Sequence, residues 1–277
     1  MKLHSEPTLL SKGVYLQIPV KITLLDEAII RSNEPEEVLT FKYNNLGNRF
    51  IIPWRKIKGK LRRLVLEKQR GLNIESKCAL KDDLCMKCPT CFLFGGTGET
   101  SSAGAQYNIL SRIYGETFIS EREIGDITPY TANAVREQDL TTGQALMSIL
   151  TVPKETVFRG VVTLKDPTPE MVAILVDNIN RLSRIGARSV EWGRVQTEIE
   201  GFHLSDREEL SIYLDFQNKI KVESKVKKDL KKLLSRQNLP SVDRAYKILD
   251  RQVKKLISSL AGKGKNQGKK TGKTPGS

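Results

Sequence analysis

Histidine is almost missing from this 277-residue chain, and cysteine is confined to one short stretch: His4 and His203 are the only imidazoles, and no cysteine lies outside residues 78–91. Both histidines look incidental, with no nearby serine, cysteine or carboxylate set that suggests nucleophilic catalysis. Long apolar runs are missing too. None approaches the ~18 residues that a membrane-spanning helix needs, and the first residues, broken by Lys2, His4 and Lys12, do not read as a signal peptide. A cytoplasmic protein with no membrane partner is expected. Gly95, Gly96 and Gly98 could cradle a phosphate, but no Gly-Lys-Ser/Thr follows them, so a P-loop is not supported.

What the chain does have is positive charge in one place. The formal net charge is +14, yet residues 219–277 hold 18 Lys/Arg against 4 Asp/Glu, while residues 1–218 hold 28 of each. Such a block points to a polyanion partner bound in a salt-dependent way, or else to a solubilising tail.

A second concentration of cations sits at the start of a helix. In residues 51–63 an apolar pair and Pro53 run into Arg55, Lys56, Lys58, Lys60, Arg62 and Arg63, interleaved with an apolar stripe of Ile57, Leu61, Leu64 and Val65. Proline suits a helix entry. Cations there oppose the helix macrodipole unless an anion lies close. Gly59 weakens the helix by roughly 1 kcal/mol relative to alanine and admits close approach of another backbone, which a merely solvated face would not require. A nucleic-acid backbone is the expected anion.

Cys78, Cys85, Cys88 and Cys91 follow the spacing C-x6-C-x2-C-x2-C. Four thiolates so close together suit a tetrahedral structural zinc that staples the polar segment 71–104; an iron–sulfur cluster or free thiols are the alternatives. A site with four thiolates leaves no open position for substrate.

Elsewhere, apolar residues at every even position from Val14 to Leu24 predict a half-buried strand, with a bulge or an unpaired side at Pro19. Residues 31–49 read as a loop or small hairpin, and 105–119 as strand-like. Residues 120–150 form a long excursion, and Val157 to Leu164 a strand. Thr168 and Pro169 open a helix that Gly186 ends, and a strand follows from Val195 to Ile199. The glycine-bracketed turn at 186–194 offers Arg188, Trp192 and Arg194 to RNA, or simply connects helix to strand. Residues 225–237 and 241–260 read as a basic helical hairpin within 219–261, and 262–277 as a disordered Lys/Gly tail. Stripped of its insertions, the 1–218 body is α+β, with a modified ferredoxin-like or RRM-like βαββαβ order. The aromatic signature of an RRM sheet is missing, so RNA is expected along the basic helix and loops.

The segments Ile52-Pro-Trp-Arg-Lys-Ile-Lys-Gly-Lys-Leu-Arg62, Cys85-Met-Lys-Cys-Pro-Thr-Cys-Phe-Leu-Phe-Gly95, Arg136-Glu-Gln-Asp139, Val161-Val-Thr-Leu-Lys-Asp-Pro-Thr168 and Gly186-Ala-Arg-Ser-Val-Glu-Trp-Gly-Arg-Val195 resemble, in this order, the CRISPR RAMP backbone subunits. They are most like the spine subunit of type I-D effector complexes. The resemblance spans about residues 12–215 and implies a modified RRM core, a zinc insertion at 71–104 and a thumb-like hairpin within 120–150. It also implies several copies along one CRISPR guide RNA, pairing of that guide with target nucleic acid, and other effector subunits as partners. The implied guide contacts are Lys56, Lys58, Lys60, Arg62, Arg63, the turn from Arg188 to Arg194 and Arg136. Two rival functions remain open. Type III relatives cut target RNA with an aspartate after the first strand, where this chain offers Asp26, Glu27, Glu34, Glu36 and Glu37 for a metal-dependent endoribonuclease. A free-standing zinc-stapled RNA chaperone is the other.

Overall fold

The protein is described here as a computed structural model covering residues 1–31, 39–80, 83–98, 107–125, 129–135, 142–230 and 238–267. The sheet is built on β1 (Tyr15–Leu24), whose even residues Leu16, Ile18, Val20, Ile22 and Leu24 are at most 2% exposed, as the alternation predicts. On one side β8 (Val157–Lys165) pairs with it antiparallel, from Tyr15↔Lys165 to Thr23↔Val157. On the other side lie β9 (Val195–Ile199) and β10 (His203–Ser205). Between these two, residues 200–202 face only Ile18 and Pro19, and the Pro19 carbonyl accepts the Glu200 N–H at 2.9 Å. The bulge falls where β1 has no N–H to give.

Beyond β8 the sheet continues through β4 (Ile113–Gly115) and β5 (Phe118–Ser120) to β3 (Gly47–Ile52) and β2 (Thr40–Tyr43), every pairing antiparallel. The expected loop or small hairpin before the basic helix is thus the β2–β3 hairpin. Within the 120–150 excursion, β6 (Pro129–Val135) and β7 (Thr142–Leu150) pair in a two-stranded ladder of their own. The result is a mixed α+β architecture on an antiparallel sheet.

Helices cover one face. α1 (Trp54–Gly71) begins directly after Pro53 and buries Ile57, Leu61, Val65 and Leu66. The short α2 (Pro89–Phe94) packs beside it, and α3 (Pro169–Asn180) is capped by Thr168, whose hydroxyl accepts the Met171 N–H at 3.4 Å. The opposite sheet face is covered by α4 (Ile212–Phe216) and α5 (Val222–Lys225), with Leu210, Ile212 and Val222 around Val161. Gln17 fixes that layer, accepting from the Glu209 and Leu210 N–H groups and donating to the Leu210 carbonyl.

Three expectations need correction. The helix after Thr168 ends at Asn180, not Gly186, because the Ser183 carbonyl takes the Val195 N–H and Ile185 N–H goes to the Gly193 carbonyl. Residues 226–229 do not continue a helix: Lys227 exchanges backbone hydrogen bonds with Phe202, at 2.9 and 3.0 Å, and so joins the body. The rest of that expected helix, residues 231–237, lies outside the described residues. The last helix, α6 (Val242–Gln267), runs beyond residue 262; of the expected tail, 268–277 lies outside the described residues. α6 packs on the main core. Ala245, Tyr246, Leu249 and Val253 are fully buried, and Tyr246 donates to the Val65 carbonyl at 3.3 Å while accepting from Asn178 at 3.1 Å.

Candidate functional site

The two ends of α1 meet different surroundings. At its C-terminal end lies the cysteine cluster. Cys88 is the N-cap of α2, so its Sγ accepts the Cys91 N–H at 3.4 Å, and the short helix brings Cys91 back over it. Cys78 reaches the cluster from the segment after α1, held by Arg70, which donates to the Cys78 carbonyl at 2.8 Å. Gln69 clamps α2 directly: its Oε1 accepts both the Thr90 N–H (3.1 Å) and the Thr90 hydroxyl (2.8 Å).

A metal bound tetrahedrally through ~2.3 Å bonds to sulfur places its ligands roughly 3.8 Å apart. Cys78 Sγ lies 3.6 Å from Cys91 Sγ and 3.8 Å from Cys88 Sγ, and all four sulfurs lie within 4.8 Å of one another. The four cysteines are thus at metal-binding distance, and no other such group of His, Cys, Asp or Glu occurs among the described residues. Their thiols shift one another in opposite directions. Cys78 is held far down by hydrogen bonds from Cys85, Cys88 and Cys91, whereas Cys88 and Cys91 are pushed up, first by Cys78. Four adjacent thiols do not ionise together unless a cation compensates them.

At the N-terminal end α1 forms one wall of a cleft of about 490 Å³. Arg55, Lys56, Lys60 and Arg63 line it, facing Gly186, Ala187 and Ser189 of the glycine-bracketed turn. No carboxylate pairs with these four cations among the described residues. Gly59 opens on the same cleft, and a side chain there would meet nothing within 4 Å in this chain. Among the described residues, nothing makes the close approach that its presence suggests.

The facing turn is held by the segment after β1. Ala187 N–H donates to the Ile29 carbonyl, Gly193 N–H to the Glu27 carbonyl, and Asp26 Oδ1 accepts the Arg194 N–H at 2.7 Å. Gly193 has φ +76° with the Ile185 carbonyl against it, a place where any Cβ would collide.

Not every basic residue expected here lines the cleft. Lys58 and Arg62 lie on another side of α1, where Arg62 donates to the Gly95 carbonyl at 3.0 Å and Lys58 is half-buried. Burial, then the Arg62 charge, pushes the Lys58 ammonium down. Arg188 and Arg194 are exposed on the turn, Trp192 is half-buried, and none of the three is part of the cleft lining. Arg136 lies outside the described residues, as do Glu34, Glu36 and Glu37; Glu27 accepts the Thr151 hydroxyl at 3.2 Å. Gln69 and Arg70 escaped the sequence-based selection. A polar residue at position 69, in step with Ile57, Leu61 and Val65, was the available signal.

An antiparallel sheet backed by helices, with a cysteine cluster and a basic cleft at opposite ends of one helix, is the frame of a CRISPR-associated protein. The family model described as Csc2 Crispr matches residues 42–261, and the chain belongs to that family. The crystal structure of Thermofilum pendens Csc2 is similar at 18% identity and TM-score 0.60, over 94% of this chain and 95% of that one. A Type IV-B CRISPR complex chain matches at 15% identity and TM-score 0.49, covering 66% of this chain and 90% of that one. A chain of the Type III-B Cmr-beta complex bound to cognate target RNA, solved by cryo-electron microscopy, matches at 16% identity and TM-score 0.42 over 69% and 60%. No curated protein matches. Among the described residues, no helix is long and apolar enough to cross a membrane.

Proposed function

We propose that the chain is a non-catalytic, guide-RNA-binding backbone subunit of a CRISPR effector complex, most like that of type I-D, with several copies along one RNA. The observation that carries this is the cleft: four cations on α1, unpaired among the described residues, face a backbone turn across a space that no described aromatic ring lines. Arg55, Lys56, Lys60 and Arg63 bind phosphates, and the open Gly59 lets the RNA backbone lie against the helix. A site that holds phosphates without stacking the bases leaves those bases free to pair with target. Arg188, Trp192 and Arg194 extend the path, and the β6–β7 ladder acts as the thumb.

The strand order β9, β1, β8, β4/β5 is the ferredoxin-like core of this reading. The four cysteines hold a structural zinc, which supplies a cross-link and no chemistry on substrate. Asp26, committed to the Arg194 N–H, positions the turn and does not cut RNA.

The test is binding of the full chain to single-stranded RNA of increasing length across a salt series, with mass read by light scattering. Stepwise addition of copies with length, and affinity that falls steeply with salt, are expected. A single copy on long RNA would favour the chaperone function. Regular Mg²⁺-dependent cuts lost in Asp26→Ala would establish the endoribonuclease.

A further inference from the structure

α6 carries a row of cations that the cleft does not use. Arg244, Lys247, Arg251 and Lys255 recur every three or four residues, are all exposed, and therefore lie along one outer face of the helix. Their span is about 16 Å at 1.5 Å per residue. None has a carboxylate partner among the described residues. The contrast lies within the same helix. Lys254, turned toward the body, is neutralised twice, by Glu75 and Asp250, each at 2.9 Å, and Asp243 pairs with Lys68 of α1 at 2.7 Å. Both acidic residues of the described helix are thus engaged with other cations, leaving the outer row uncompensated. Like charges at such spacings cost a helix a few tenths of a kcal/mol per pair.

We infer that this face of α6 is a second nucleic-acid site, separate from the α1 cleft, that docks on the phosphate backbone of a double helix. Three features favour a duplex over a single strand. The face is straight and convex, and it carries no ring on which a base could stack, whereas single strands gain much of their affinity from stacking. At about 3.4 Å of axis per phosphate along one strand, a row of ~16 Å spans roughly five phosphates of a duplex groove edge. The site is also displaced from the cleft. α6 meets α1 at Val65 and Lys68, while the cleft residues end at Arg63 and face the turn at 186–189. The chain beyond residue 258 adds five further lysines with no acid, so the positive charge continues in sequence past the row.

The experiment compares the full-length protein with a quadruple variant, Arg244→Gln, Lys247→Gln, Arg251→Gln and Lys255→Gln. Two probes are used, a 30-base-pair mixed-sequence DNA duplex and a 30-nucleotide single-stranded RNA. Each titration is repeated from 50 to 300 mM KCl. The variant is expected to bind the duplex at least tenfold more weakly, with a salt slope smaller by ~3–4, one unit for nearly every lost phosphate contact, and to keep its RNA affinity within twofold. Lys254→Gln, on the same helix, should leave duplex binding unchanged. If the quadruple variant fails to fold, Lys247→Gln/Arg251→Gln carries the same test with half the change in slope. Unchanged duplex affinity, no duplex binding by the parent protein, or an equal loss on both probes would overturn the inference. The separate variant Lys56→Glu/Lys60→Glu keeps the guide-RNA proposal independent, since it bears on RNA binding alone.

Discussion

One helix, α1, joins two regions that treat their polar groups in opposite ways. Around its C-terminal turns Gln69 Oε1 is engaged by Thr90, Arg70 by the Cys78 carbonyl and Lys68 by Asp243, all inside the chain, and only Gln69 Nε2 among these groups is buried without a partner among the described residues. Around its N-terminal turns four cations have no partner among the described residues, and the glycine among them has no described atom within 4 Å of its missing side chain. Satisfied groups hold a structure together, whereas a cluster left unsatisfied at the surface is better explained by something that arrives later. A count of basic residues does not make the distinction. Arg159 is as cationic as Arg63, yet Glu200 at 3.2 Å and Asp215 at 3.1 Å neutralise it within the fold.

That difference is open to attack from both ends of the helix. The largest effect is expected at the cysteines: Cys88→Ser should release the metal and cost at least about 4 kcal/mol, the class of loss seen when a structural metal is removed. Elemental analysis and a thermal melt check it, and a protein purified without metal, equally stable with and without Cys88, would remove the staple from the account. Next comes Lys56→Glu/Lys60→Glu, which should lower RNA affinity about a hundredfold at low salt, each reversal removing a phosphate contact and adding repulsion, while the melting temperature stays put. A variant that loses stability instead would make the open end a structural element like the other. Gln69→Ala should cost about 1–3 kcal/mol, because two donors on Thr90 lose a buried acceptor, with RNA binding nearly unchanged at saturating metal. The smallest and most diagnostic change is Gly59→Ala. With nothing within 4 Å of the added methyl, it should stabilise the free protein by up to ~1 kcal/mol and still weaken RNA binding. Equal or tighter binding would show that no backbone approaches there.

Features set by local rules could be read from the residues. The alternation of β1, the Pro53 entry, the Thr168 cap and the spacing of the four cysteines each follow from a few neighbours in sequence, and the elements formed there. Gly59 was singled out for a close backbone approach, and the structure shows space beside it that no described residue fills. What the sequence hid depends on distant partners. The helix at 169 stops early because Ser183 and Ile185 pair with Val195 and Gly193, and residues 226–229 stay extended because Phe202 lies opposite. Nothing local sorts Lys58 and Arg62 from Lys56 and Lys60. Their division follows from which side of α1 Gly95, at the end of α2, and the 186–189 turn happen to occupy.

The unpaired cation rows on α1 and α6 have a further consequence for the protein on its own. An isolated copy carries mutual repulsion that only a counter-ion atmosphere relieves, so added salt should raise its melting temperature even as the same salt loosens its hold on nucleic acid. Occupied copies gain stability by mass action, and unassembled ones stay nearest to unfolding. On the proposed guide-RNA function, thermal fragility then marks a copy that has no RNA to line.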